Sequence, residues 1–180
     1  MPVFPLSAII PGKGVTIVVT LRQFQKEDTV RMLDILTDQT VSKTYMLPDF
    51  SEKADAIPLF ERLMGLSLDN SHYVRCISLD GLCIGFINDV EIKDGKIELG
   101  YVIHPDSQCK GYMTQALQLA ITEVFQLGYR RIVCGAFTEN PASSRVMEKC
   151  GMVRSDFTEV IPYRGKDYLC VYYSKENTIC

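Results

Sequence analysis

Glu98-Leu99-Gly100-Tyr101-Val102-Ile103-His104-Pro105-Asp106-Ser107-Gln108-Cys109-Lys110-Gly111-Tyr112-Met113 is the stretch around which this chain is organised. Ile97, Leu99, Tyr101 and Ile103 share one face of a period-two run that Pro105 terminates. A short polar loop follows, and at Gly111 the chain enters a long amphipathic segment. Strand, tight loop and helix start together form an anion site. The first N–H groups of a helix have no intrahelical partner, and with the aligned peptide dipoles they attract phosphate. Gly111 carries no side chain to block that approach.

Upstream of this stretch the period is also two. Tyr73 to Leu79, an Asp80-Gly81 turn and Leu82 to Glu91 predict a hairpin, and Asp94-Gly95 turns the chain into Ile97 to Ile103. Val15 to Phe24 predicts an earlier strand, preceded by a lead segment over 1–14. Lys26-Glu27-Asp28 opens a helix carrying Val30, Leu33, Ile35 and Leu36, with acidic residues well placed at its start. Thr40 to Glu52 is a polar loop or broken helix, and Ala54 to Leu68 resumes helical spacing.

Downstream, Met113, Leu117, Ala120, Ile121, Val124 and Phe125 make the apolar stripe of a long helix that stops near Gly128. Arg131 to Phe137 reads as a strand. A short helix follows, delimited by Asn140 as N-cap, Pro141 at its first position and Gly151 as its stop. Met152 to Val160 and Asp167 to Ser174, joined through Pro162 and Gly165, predict a closing hairpin. The pattern is α/β (α+β), a mixed, mostly antiparallel sheet flanked by helices. Neither repeats nor linkers divide it, so residues 1–180 are expected to form a single domain.

Gln108-Cys109-Lys110-Gly111-Tyr112-Met113-Thr114 resembles the Gln/Arg-x-x-Gly-x-Gly/Ala signature of the GNAT superfamily of acyl-CoA N-acyltransferases. Glu139-Asn140-Pro141-Ala142-Ser143-Ser144-Arg145-Val146-Met147-Glu148-Lys149-Cys150-Gly151-Met152 is similar to the branch that acetylates ribosomal-protein N-termini, together with its small-molecule relatives. Two positions depart from the pattern: Cys109 stands where many members carry Gly, and Met113 where Gly or Ala is usual. Neither change removes a backbone amide.

The resemblance implies a twisted sheet whose two central strands splay apart to receive acetyl-CoA, with no metal. It implies that the pantetheine arm bonds the backbone of Tyr101, Val102 and Ile103, whose side chains read as plain core, and that the pyrophosphate meets the amides of Gln108, Cys109, Lys110, Gly111, Tyr112 and Met113. The Asn matching Asn140 bonds the pantetheine arm, and the Ser matching Ser143 lies near the CoA sulfur. An N-cap role alone also explains Asn140.

The resemblance implies an amine acceptor, and an ammonium must lose its proton before attacking a thioester. Alternation puts Glu98 beside the Gly100 gap, opposite Leu99 and Tyr101, which makes it the candidate base acting through water, with a surface carboxylate as the other reading. Glu91 and Glu139 are weaker candidates. His72 and His104 lack a paired nucleophile and read as exposed polar residues, and Arg145 and Lys149 read first as a solvated helix face. The expected activity is transfer of acetyl from acetyl-CoA to a protein N-terminus or a small-molecule amine. The other reading is a non-catalytic acyl-CoA-binding regulatory module.

Composition narrows the classes further. With 180 residues, 47% hydrophobic and 23% charged, the chain has material for one core. A net charge of −3 gives no electrostatic footprint for nucleic acid. No apolar run has the length of a membrane span, so a cytoplasmic protein is expected. Seven scattered cysteines fit reduced thiols better than a disulfide framework or a zinc site. No heptad seam is legible, which leaves a homodimer open.

Overall fold

A computed structural model describes residues 7–9 and 18–178 of the chain. One eight-stranded sheet runs through them in the order β1-β2-β3-β4-β5-β6-β8-β7, where β1 is Ser7–Ile9, β2 Val18–Arg22, β3 Val74–Leu79, β4 Leu82–Lys93, β5 Lys96–Ile103, β6 Arg131–Phe137, β7 Val153–Tyr163 and β8 Lys166–Glu176. Every neighbouring pair is antiparallel except β5 and β6. The helices are α1 Thr29–Leu36, α2 Gln39–Ser42, α3 Ile57–Leu68, α4 Tyr112–Gln126 and α5 Pro141–Lys149.

Alternation along the strands divides the apolar side chains between two cores. On one face Ile97, Leu99, Ile132 and Cys134 pack under Met113, Leu117, Ala120, Ile121 and Val124 of α4 and Met147 of α5. On the other, Val102, Phe86, Val74 and Cys76 pack under Met32, Ile35 and Leu36 of α1 and Phe60 and Leu63 of α3. Successive β5 residues thus serve opposite cores, which specifies the register, since a slip by one would invert both faces. Across the hairpins the turn pairs Asp80-Gly81 and Asp94-Gly95 have positive φ throughout, as type I′ turns require.

The parallel contact is short, and the site depends on it. β5 and β6 pair only through Lys96↔Arg131, Ile97↔Ile132 and Glu98↔Val133. Beyond these, β6 stays with β8 as far as Phe137 and β5 stays with β4 as far as Ile103, so a wedge opens between them. At its throat the buried Cys134 thiol accepts a hydrogen bond from the Leu99 amide, and burial holds that thiol protonated.

Several expectations are corrected. The lead segment over 1–14 contains a strand, because Ser7–Ile9 finds an antiparallel partner in β2, a pairing that no local pattern encodes. Val15 to Ile17 of the first predicted strand lie outside the described residues. The helices placed at Lys26 and Ala54 each begin as a tight 3-10 turn, Lys26–Asp28 and Lys53–Ala56, before α1 and α3. Pro162 does not interrupt the last hairpin: it lies within β7, an edge strand where a missing N–H is tolerated, and the turn is made by Arg164 and Gly165 at positive φ. β4 runs on to Lys93, with a bulge between Asp89 and Glu91.

Candidate active site

The wedge opens into a cavity of about 310 Å³ where the end of β5, the loop 104–111, the start of α4 and the start of α5 converge. Its wall includes Tyr101, Val102, Ile103, Gln108, Cys109, Gly111, Tyr112, Met113, Asn140 and Ser143. Eleven of the twelve residues singled out in the sequence are brought together or lie on either side of this wedge; the twelfth, Lys110, is on the loop but not on the wall, and its ammonium donates back to the Asp106 carbonyl at 2.8 Å.

The loop is built for bare amides. Pro105–Ser107 forms a 3-10 turn capped by His104, after which Cys109 at φ +59° and Gly111 at φ +80° are both left-handed. Gly111 serves as N-cap of α4, and a Cβ placed on it would meet nothing within 4 Å, so the space beside it is open. Gln115 N closes the first helical bond to Gly111 O at 3.2 Å, and the amides from Cys109 to Thr114 before it have no backbone partner among the described residues. Gln108 is the exception. Its amide is taken by Pro105 O at 3.1 Å and its side-chain amide donates to Ile103 O, so the available run starts at Cys109. A chain of amides unpartnered among the described residues, beside open space and with the cationic Arg145 and Lys149 on the same wall, fits a pyrophosphate and its nucleotide end. The two cations thus border the cavity and do not simply face solvent.

Asn140 caps α5 as predicted, its Oδ1 accepting from Ser143 N at 3.3 Å. The Ser143 side chain has a partner that the sequence reading missed. Tyr101 lies on the core face, as alternation requires, but its phenol oxygen reaches 2.6 Å from Ser143 Oγ and 3.2 Å from Ser143 O. A buried tyrosine places its hydroxyl against a polar group, and that general rule was the available signal. Tyr45 was also missed. It lines the cavity from the 43–52 loop, donates to Asn88 Oδ1 at 2.6 Å, and lays its ring over Gly100, where a Cβ would come within 3.1 Å of the phenol oxygen.

Glu98 lines a second cavity, of about 430 Å³, beside Glu91, Phe157, Glu159 and Tyr172. It is the last β5 residue paired to β6, so it sits where the wedge begins. Burial, then the carboxylates of Glu91 and Glu159, push its carboxyl above the ordinary range. Glu91 is its direct cross-strand partner, which accounts for the repulsion. Glu139 is engaged elsewhere, bound by Lys166 at 2.6 Å.

The histidines are not free polar residues. His72 Nδ1 bonds the Asp89 carboxylate at 2.9 Å, and His104 Nδ1 accepts from Asp106 N at 3.2 Å, capping the 3-10 turn; neither is on the wall of either cavity. Five cysteines of the described residues are buried, and Cys109 alone of the six is exposed, on the loop 104–111. Among the described residues no helix is long and apolar enough to cross a membrane.

Comparison with known proteins agrees with this geometry. The model of the acetyltransferase (GNAT) domain matches residues 19–153. An uncharacterized N-acetyltransferase, YnaD of Bacillus subtilis (strain 168), is 30% identical over 156 residues, covering 85% of this chain and 89% of that protein. In fold, the chain is similar to the RimL ribosomal L7/L12 alpha-N-protein acetyltransferase in complex with coenzyme A, with a TM-score of 0.77, 17% identity and coverage of 94% and 98% of the two chains. It is likewise similar to the spermidine N-acetyltransferase from Vibrio cholerae in complex with CoA and spermine, with a TM-score of 0.74, 18% identity and coverage of 88% and 95%.

Proposed function

Because the chain belongs to the GNAT acetyltransferase family, we propose that it moves the acetyl group of acetyl-CoA directly onto a primary amine, either a protein N-terminus or a small-molecule amine. One observation carries this reading: the wedge between β5 and β6 has an amide-lined cavity along its mouth and a half-buried carboxylate, lining a second cavity, at its apex. Donor and acceptor then enter through separate cavities and meet in the gap past Glu98 and Val133. The relatives named above act on a ribosomal-protein α-amino group and on spermidine, and they support an amine acceptor of either kind.

In this reading the backbone of Tyr101, Val102 and Ile103 carries the pantetheine arm as an added strand. The amides of Cys109, Lys110, Gly111, Tyr112 and Met113 hold the pyrophosphate, and Gln108 contributes its place on the wall in lieu of its amide. Asn140 holds the start of α5 against the arm. Glu98 takes the proton from the amine through water, its raised pKa bringing it closer to the operating pH of a base. The nitrogen attacks the carbonyl carbon, the carbon–sulfur bond breaks with its electron pair on sulfur, and the Ser143 hydroxyl stabilises the departing thiolate. Positioning of the two reactants supplies much of the rate. The fold match and the single sheet support treating the chain as one N-acetyltransferase domain, and the free thiols of the described residues support a cytoplasmic location.

The test is release of free CoA thiol from acetyl-CoA, in parallel with calorimetric CoA binding, across N-terminal peptides and small amines including spermidine. Binding with acceptor-dependent release is the expected result. Binding without release from any amine in the panel would overturn the transferase reading in favour of an acyl-CoA-binding module.

A further inference from the structure

We propose that Tyr101 is a positioning residue for acetyl transfer, its phenol O–H holding the Ser143 hydroxyl so that the serine proton points into the donor cavity. The inference rests on the role of Ser143 proposed above and adds a residue whose side chain neither the family signature nor the strand pattern singles out.

Either oxygen of this pair can be the donor, and the proposal places the shared proton on the phenol. Tyr101 Oη has one proton and two neighbours, Ser143 O at 3.2 Å and Ser143 Oγ at 2.6 Å. The carbonyl lies inside α5, where the amide four residues on supplies its partner. The hydroxyl is closer by 0.6 Å and well within the range of a good O–H···O bond. With the phenol donating to Oγ, the serine's own proton is free to turn to the cavity, which both side chains line. Were the direction reversed, the serine proton would be spent on tyrosine and nothing would face the thioester.

Both ends of this bond are fixed. The Tyr101 ring packs against the core under α4 and α5, and a tyrosine has only two side-chain torsions to immobilise. Ser143 is held from behind by the hydrogen bond its backbone N–H donates to Asn140 Oδ1. Burial pushes the phenol's ionisation well up, so it remains a neutral donor wherever an amine acceptor is deprotonated. A donor to Oγ also polarises the serine O–H, strengthening its bond to the sulfur as negative charge develops there. The atoms balance without an added reagent: the proton lost by the amine matches the one finally gained by the thiol.

The test compares the natural protein with Tyr101→Phe, Ser143→Ala and the double variant, using acetyl-CoA and whichever amine of the panel above releases most thiol. Tyr101→Phe keeps the ring and its packing, and a thermal melt checks that it folds. The expected result is a kcat lowered about tenfold, with acetyl-CoA KM and calorimetric Kd unchanged within about twofold. The double variant should be no slower than Ser143→Ala, because the phenol acts only through that hydroxyl. A loss of donor affinity in place of kcat would show a purely structural role and overturn the proposal. Multiplicative losses in the double variant would also overturn it while leaving Ser143 in the mechanism. A Ser143→Ala protein of full activity would instead remove the serine, and the role of Tyr101 with it.

Discussion

Gly111 allows the phosphate loop to be tested with two substitutions that share a position and differ in physics. Its φ is +80° and a Cβ there would meet nothing within 4 Å, so Gly111→Ala costs backbone strain but no collision. A left-handed non-glycine residue costs about 1–2 kcal/mol, which in a chain of this size lowers Tm by roughly 2–8 °C. The alanine amide survives, and CoA affinity should fall no more than a few fold. Gly111→Pro demands a φ near −65°, far from +80°, and deletes one amide donor from the loop. An amide bond to a charged group is worth about 1.5–3 kcal/mol, so CoA Kd should rise roughly 10- to 150-fold. Calorimetric titration with CoA, restricted to protein shown folded by its melt, separates the two. Equal affinity in the proline and natural proteins would refute the assignment of this loop to the phosphates. Equal large losses in both variants would show that loop shape, and not the amide, carries the binding.

The remaining predictions concern the apex, Ser143 and the 43–52 loop. Ser143→Ala should slow transfer about tenfold with CoA Kd unchanged, measured by thiol release alongside calorimetry. Glu98 has a folded pKa above its unfolded value, so it favours the fold below the ordinary carboxylate range, and that contribution is lost as pH rises through the folded value. Glu98→Gln should therefore melt at the same or a higher temperature than the natural protein at about pH 7, with no such gain at about pH 4; a lower melting point at neutral pH would contradict the burial argument. The same variant should lose the acid limb of the kcat/KM profile, a limb expected above the ordinary carboxylate range. Tyr163 pins the cavity-wall loop, donating to Ser42 O at 2.8 Å and accepting from Leu47 N at 3.2 Å, while Arg164 pairs with Asp49. Tyr163→Phe strands that amide at a cost of about 1–3 kcal/mol, visible as faster hydrogen exchange at Leu47.

Much of this architecture is written locally. The turn pairs Asp80-Gly81 and Asp94-Gly95, the Asn140-Pro141 cap, the Gly151 stop and the α4 stripe each depend on neighbours a few residues away, and each is observed where the sequence placed it. The backbone of the loop 104–111 is legible for the same reason, since left-handed backbone and bare amides are properties of a short segment.

What the sequence could not specify lies between segments distant in the chain. That β5 and β6 pair for three residues and then part depends on β8 holding β6 and β4 holding β5, so the wedge exists only once the whole sheet is assembled. Assembly also puts Glu98 and Ser143 on the walls of separate cavities, brings Glu91 and Glu159 beside Glu98, and sets the Tyr101 phenol against a hydroxyl 42 residues on. The sequence by itself determined which groups are available: bare amides at a helix start, a capped serine helix and a carboxylate on the face opposite Leu99. Only the tertiary structure decided which of them meet, because hydrogen bonds and carboxylate repulsion act over a few ångströms in space, and periodicity along the chain carries no record of those distances.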